Sequence, residues 1–186
     1  MSHKYSKWNR RRKLFFVAEF IQEHNIKTCL LVGAKPDLVE GNLDNMIELG
    51  VKNLIPNLVA SGIERKSSYW ENWIQADGKN LPFAMRSFDL VFSNAVIEHV
   101  GDERDQIKFL NEIDRVGKNW IVTTPNRFFP IESHTQKLIF HMRRGWKNSA
   151  VTRLLSRRDL ERILPRNAVI IGHIFSPTFT CYKIYE

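Results

Sequence analysis

The chain has 186 residues, 43% of them hydrophobic and 26% charged, with a formal net charge of +8. That is enough apolar material for one domain with a full core, and it argues against a disordered chain. No apolar run approaches the roughly 20 residues that cross a bilayer, and no basic-then-apolar leader opens the sequence, so a cytoplasmic protein without a membrane span is expected.

In chain order, Leu14, Val17 and Ile21, with Phe16 and Phe20, follow helical spacing and predict a helix from about Arg10 to His24. Thr28 to Val32 reads as a short buried strand. Leu38 to Leu49 reads as a helix ended by Gly50, and Asn53 to Ala60 as a second strand in which Pro56 is awkward. Trp73 to Ala76 is a third strand, Phe88 to Ser93 a fourth and Trp120 to Thr124 a fifth. Between the last two, Asp102 can cap a helix that places Phe109, Ile113 and Val116 on one face. Ser156 and Asp159 make a capping box ahead of Leu160, Ile163 and Leu164. Ala168 to Phe175 and Thr178 to Tyr185 read as two closing strands. Helices alternating with strands predict an α/β fold, a mostly parallel sheet covered by helices on both faces. Cys29 and Cys181 lie in apolar strands without metal-ligand spacing and read as buried free thiols.

The charge is unevenly placed. Lys4, Lys7, Arg10, Arg11, Arg12 and Lys13 crowd the amino terminus without an acid, and nine basic residues against two acids fall between Lys137 and Arg166. These segments contribute +6 and +7, leaving the remainder near −5. Basic ends of this kind favour an anionic partner such as nucleic acid, or are simply a solvated face.

The run from Asp77 to Asn126 carries the chemistry. It reads DGKNLPFAMRSFDLVFSNAVIEHVGD, then an amphipathic stretch ending DRV, then WIVTTPN. An acid and a glycine before LPF, then SFDLVFSNAVIEHV, then a hydrophobic strand closing on TPN together resemble the middle of a class I S-adenosylmethionine-dependent methyltransferase. The likeness is dense over residues 70–135. It implies a Rossmann-like domain over residues 1–186, with a basic helix over 1–25, a basic substrate-side insertion and helix over 127–166, and a closing antiparallel strand pair. Ligands of such sheets sit beyond the carboxyl ends of the strands, where strand order reverses.

The resemblance implies S-adenosylmethionine as cofactor and an unidentified small or carbohydrate-like methyl acceptor. It puts Gly33 and Ala34 in the loop at the methionine part of the cofactor, where glycine allows close backbone approach. Only Gly33 of the family's acid-x-glycine-x-glycine pattern remains in LLVGAKP, and Lys35 is a candidate partner for the cofactor carboxylate. The ribose position falls at Asn57, an amide where a carboxylate is usual. Asp77 and Gly78 match the adenine contact. Ser93 and Asn94 fall where cofactor and acceptor meet, and His99, beside Glu98, is the candidate general base. Asn126, Arg127, Glu132 and His134 are substrate-side candidates. IEH with TPN also resembles metal-dependent RNA methyltransferases, but Ala95 stands where those carry a further carboxylate, so no metal is expected. The altered glycine loop keeps open a non-catalytic partner subunit, and the basic ends keep open an RNA-directed enzyme.

Overall fold

The computed structural model describes residues 2–39, 42–130 and 152–185. Among the described residues, seven strands form one sheet in the order β3-β2-β1-β4-β5-β7-β6. They are β1 (Cys29–Val32), β2 (Val59–Gly62), β3 (Trp73–Gln75), β4 (Phe88–Asn94), β5 (Gly117–Pro125), β6 (Val169–Ile171) and β7 (Thr178–Ile184). The first five run parallel; β7 lies antiparallel to β5, and β6 antiparallel to β7. The helices are α1 (Ser2–Glu23), α2 (Met46–Leu54), α3 (Glu103–Val116) and α4 (Arg157–Ile163).

The two-residue alternation of the strands divides the core into two layers. Leu30 and Val32 of β1, Val91 of β4 and Trp120 and Val122 of β5 face Phe109, Leu110 and Ile113 of α3 and Leu160 of α4. Cys29 and Leu31, Leu90 and Phe92, and Ile121 face the other way, onto Val17, Phe20 and Ile21 of α1 and Ile47 and Val51 of α2. Both cysteines are buried, and burial pushes each thiol up to about 12.

Local chemistry fixes the helix starts. The Asp102 carboxylate accepts from the Arg104 and Asp105 amides at 2.8 and 3.1 Å, and Glu103 and Asp105 complement the positive end of the α3 dipole. Ser156 and Asp159 form the capping box expected of α4.

Three boundaries differ from the sequence expectation. α1 begins at Ser2 rather than near Arg10, because Asn9 and Lys13 extend the buried stripe of Val17 and Ile21 toward the amino terminus. Gly50 lies inside α2 instead of ending it. A Cβ there would stand 2.5 Å from Leu14 Cδ1, so the glycine permits the close crossing of α1 and α2. Asn53 and Leu54 complete α2, and Pro56 falls in the following turn, where it removes no sheet hydrogen bond. The second strand therefore starts only at Val59.

Candidate functional site

Strands β1 to β5 all end on one side of the sheet, and strand order reverses between β1 and β4. A cavity of about 830 Å³ opens there, within the range of roughly 300–1,000 Å³ usual for small-molecule sites. The segments following β1, β2, β3 and β4 all contribute to its wall, and α1 forms a further side.

After β1, Gly33 has φ +78°, and a Cβ on it would stand 2.5 Å from both Val96 methyl groups. Only glycine satisfies that backbone and that contact together. The amides of Gly33 and Ala34 both donate to the Ser61 carbonyl at 2.9 Å, which fixes the loop against β2. Lys35 is on the cavity wall and exposed, and its carbonyl accepts from the Trp70 indole at 2.9 Å. Gly62 at the end of β2, and Ile63 and Glu64 after it, follow on the wall. After β3, Asp77 Oδ1 accepts from the Lys79 amide at 2.9 Å, a side-chain turn that holds the carboxylate at the cavity edge. The Lys79 ammonium lies 3.8 Å from Asp77 and 3.4 Å from Asp105.

The polar centre is at the tip of β4. Asn94 Oδ1 accepts from Lys13 Nζ at 2.9 Å and from Thr123 Oγ1 at 2.7 Å, while Asn94 Nδ2 donates to Glu48 Oε1 at 2.8 Å. One side-chain amide thus joins α1, α2, β4 and β5. Lys13 is 7% exposed, and burial lowers its ammonium from 10.5 to about 8. Arg10 and Arg12 act in the same direction, whereas Glu48 and Glu98 oppose it. Glu48 Oε2 is buried without a hydrogen-bond partner among the described residues. Glu98 is fully buried and accepts from Thr124 Oγ1 at 3.1 Å, and its Oε1 lies 3.9 Å from Nε2 of His99, which lines the cavity.

Of the residues singled out in the sequence, Gly33, Ala34, Asp77, Gly78, Asn94 and His99 are brought together here. Asn57 is not: it is exposed in the turn before β2, at the opposite end of that strand from the cavity. Glu64, which follows β2, occupies the wall instead. Ser93 is fully buried and is not on the cavity wall; it donates to the Val32 carbonyl at 3.1 Å, tying β4 to β1. Asn126 is 4% exposed and spends its amide on the chain before β7, donating to the carbonyls of Ile174 and Ser176 at 2.9 and 2.8 Å. Arg127 is exposed, with its guanidinium 5.8 Å from the Phe128 ring, and does not line the cavity. Glu132 and His134 lie outside the described residues, as does much of the expected 127–166 insertion.

Sequence reasoning missed Lys13, Glu48 and Glu64. Lys13 carried a usable signal, since it sits four residues before Val17 on the stripe that α1 buries.

Residues 52–119 match the family described as Methyltransferase domain. The chain is also similar to a methyltransferase from Archaeoglobus fulgidus described as SAM-dependent, with 13% identity and a TM-score of 0.57 over 91% of this chain and 93% of that one. The chain has the class I methyltransferase fold. Another structure sharing it is the magnesium protoporphyrin IX methyltransferase ChlM from Synechocystis PCC 6803, solved with bound SAH. It is 9% identical, with a TM-score of 0.59 over 94% of this chain and 82% of that one. The chain spans 51% of the YcgJ protein from Bacillus subtilis, to which it is 16% identical over 62% of its own length, with a TM-score of 0.47. No curated protein matches the sequence. Both the methyltransferase resemblance of the Asp77 to Asn126 run and the mostly parallel sheet with its closing antiparallel strands are borne out.

Proposed function

We propose that the protein transfers a methyl group from S-adenosylmethionine to a small-molecule or carbohydrate-like acceptor, within a single domain spanning residues 1–186. The observation that carries this reading is the cavity at the strand-order reversal, to which the segments after four parallel strands contribute. The residues present suit the cofactor. Gly33 leaves room for backbone approach, and Glu64 and Asp77 offer carboxylates to the ribose hydroxyls and the adenine amino group. In this reading Gly78 runs beside the adenine, and Asn94 lies between cofactor and acceptor.

The cofactor supplies an electrophilic methyl on a sulfonium sulfur. The protein's part is chiefly positional: holding an acceptor oxygen or nitrogen close to and in line with that methyl. His99, at the cavity wall beside the buried Glu98, is the candidate to take the acceptor's proton. The surface of α1 supports a second reading, an RNA acceptor, because Lys7, Arg11 and Arg12 are exposed beside Trp8. The test is incubation of wild type and Asp77→Ala with methyl-tritiated S-adenosylmethionine and fractionated cell extract. Label that enters the small-molecule fraction only with wild type supports the main reading. Label in RNA, with binding that weakens steeply with salt, replaces it with the second. Cofactor binding without label in any fraction would leave a non-catalytic cofactor-binding subunit.

A further inference from the structure

A lysine and a carboxylate of the cavity wall meet at the side-chain amide of Asn94. Lys13 stands at its oxygen end, with one hydrogen bond among the described residues, and Glu48 at its nitrogen end, with Oε2 buried and unpartnered. A buried carboxylate oxygen without a donor is costly, about 1–3 kcal/mol or more, unless something fills the position. The complementary ligand carries a cation and an anion a few ångströms apart. The loop after β1, which would otherwise serve that end of a ligand, has no acid in LLVGAKP and offers only the exposed Lys35.

The position in the sheet agrees. Asn94 lies at the tip of β4, immediately before the segment whose Val96 packs on Gly33 at the end of β1. Glu64 and Asp77 lie at the tips of β2 and β3, on the other side of β1. A nucleoside held at β2 and β3 therefore places an attached amino-acid group between β1 and β4.

We infer that Lys13 and Glu48, held by Asn94, form the subsite for the amino-acid end of S-adenosylmethionine, with Lys13 donating to its α-carboxylate and Glu48 accepting from its α-ammonium. This rests on the cofactor reading above and assigns to α1 and α2 what the shortened glycine loop no longer provides. Part of the basic amino terminus is then cofactor-binding rather than a solvated face.

The test compares S-adenosylhomocysteine with 5′-methylthioadenosine, which keeps the nucleoside and lacks the amino-acid group, by calorimetry on wild type, Lys13→Met and Glu48→Gln. Wild type should prefer S-adenosylhomocysteine. Each variant should lose about tenfold or more of that preference while binding methylthioadenosine as wild type does, which also shows that the site is folded. Both ligands binding with the same preference in all three proteins would overturn the subsite while leaving the cofactor reading intact. Neither ligand binding to wild type would overturn the cofactor reading itself.

Discussion

Replacing Lys13 with methionine should make the protein more stable at neutral pH, by an amount that falls as pH rises. The Lys13 ammonium is lowered from 10.5 to about 8, first by burial and then by Arg10 and Arg12, against the opposing fields of Glu48 and Glu98. Between these two values the unfolded chain holds more proton than the folded one, so the wild type gains stability as pH rises through that window. Below pH 8 both states are charged and the cost of burying the ammonium is present in full, about 3 kcal/mol; at pH 10 it has fallen to about 1 kcal/mol. Methionine keeps most of the apolar stem, carries no proton and forfeits the bond to Asn94, a loss of about 1 kcal/mol. The variant should therefore exceed wild type by about 2 kcal/mol at pH 7, and that margin should shrink by about 2 kcal/mol at pH 10. Urea unfolding of both proteins at the two pH values measures it, and other titrating groups largely cancel in the difference. A margin that stays constant between pH 7 and pH 10 would refute the account of Lys13 as a lysine held buried at a cost to stability.

Gly33→Ala should destabilise the fold by about 1–3 kcal/mol, because the new Cβ meets Val96 and the backbone is left-handed; an unchanged denaturant midpoint would contradict the loop geometry. Ser156→Ala removes the capping box of α4 and should cost about 1 kcal/mol, and Ser156→Thr, which keeps a hydroxyl for both the Asp159 amide and its carboxylate, should recover most of it. With Cys29 and Cys181 pushed up to about 12 by burial, a thiol reagent at pH 8 should label the folded protein no faster than it unfolds. Immediate labelling of two thiols would show that these strands are not closed.

The elements legible in the sequence were those with both a pattern and a stop signal. α3 had the Asp102 cap and Phe109, Ile113 and Val116 at helical spacing; α4 had its capping box; β4 and β5 were long apolar runs. The segment NLIPNLVASG had no such frame, because its apolar residues fit a strand starting at Asn53 as well as one starting at Val59. That ambiguity reversed the end of β2 that was assigned to the site: Asn57 lies at the opposite end, and Glu64 lines the cavity. Lys13 was hidden for another reason. Within a run of four basic residues its charge spoke for solvent, although its spacing of four residues from Val17 on the buried stripe of α1 marks it as the member that turns inward. Asn126, by contrast, stood out as a polar residue after a strand, yet its amide serves the carbonyls of a neighbouring loop. Position after a strand marks the rim of such a site, but the side-chain partners decide membership.

The most direct test is a calorimetric titration of the purified protein with S-adenosylmethionine and S-adenosylhomocysteine, run beside Asp77→Ala. Saturable binding in the micromolar range, weakened about tenfold or more in the variant, is what the cavity and its carboxylates predict. No heat and no thermal stabilisation at millimolar concentrations of either ligand would contradict it, leaving a methyltransferase fold that serves another purpose.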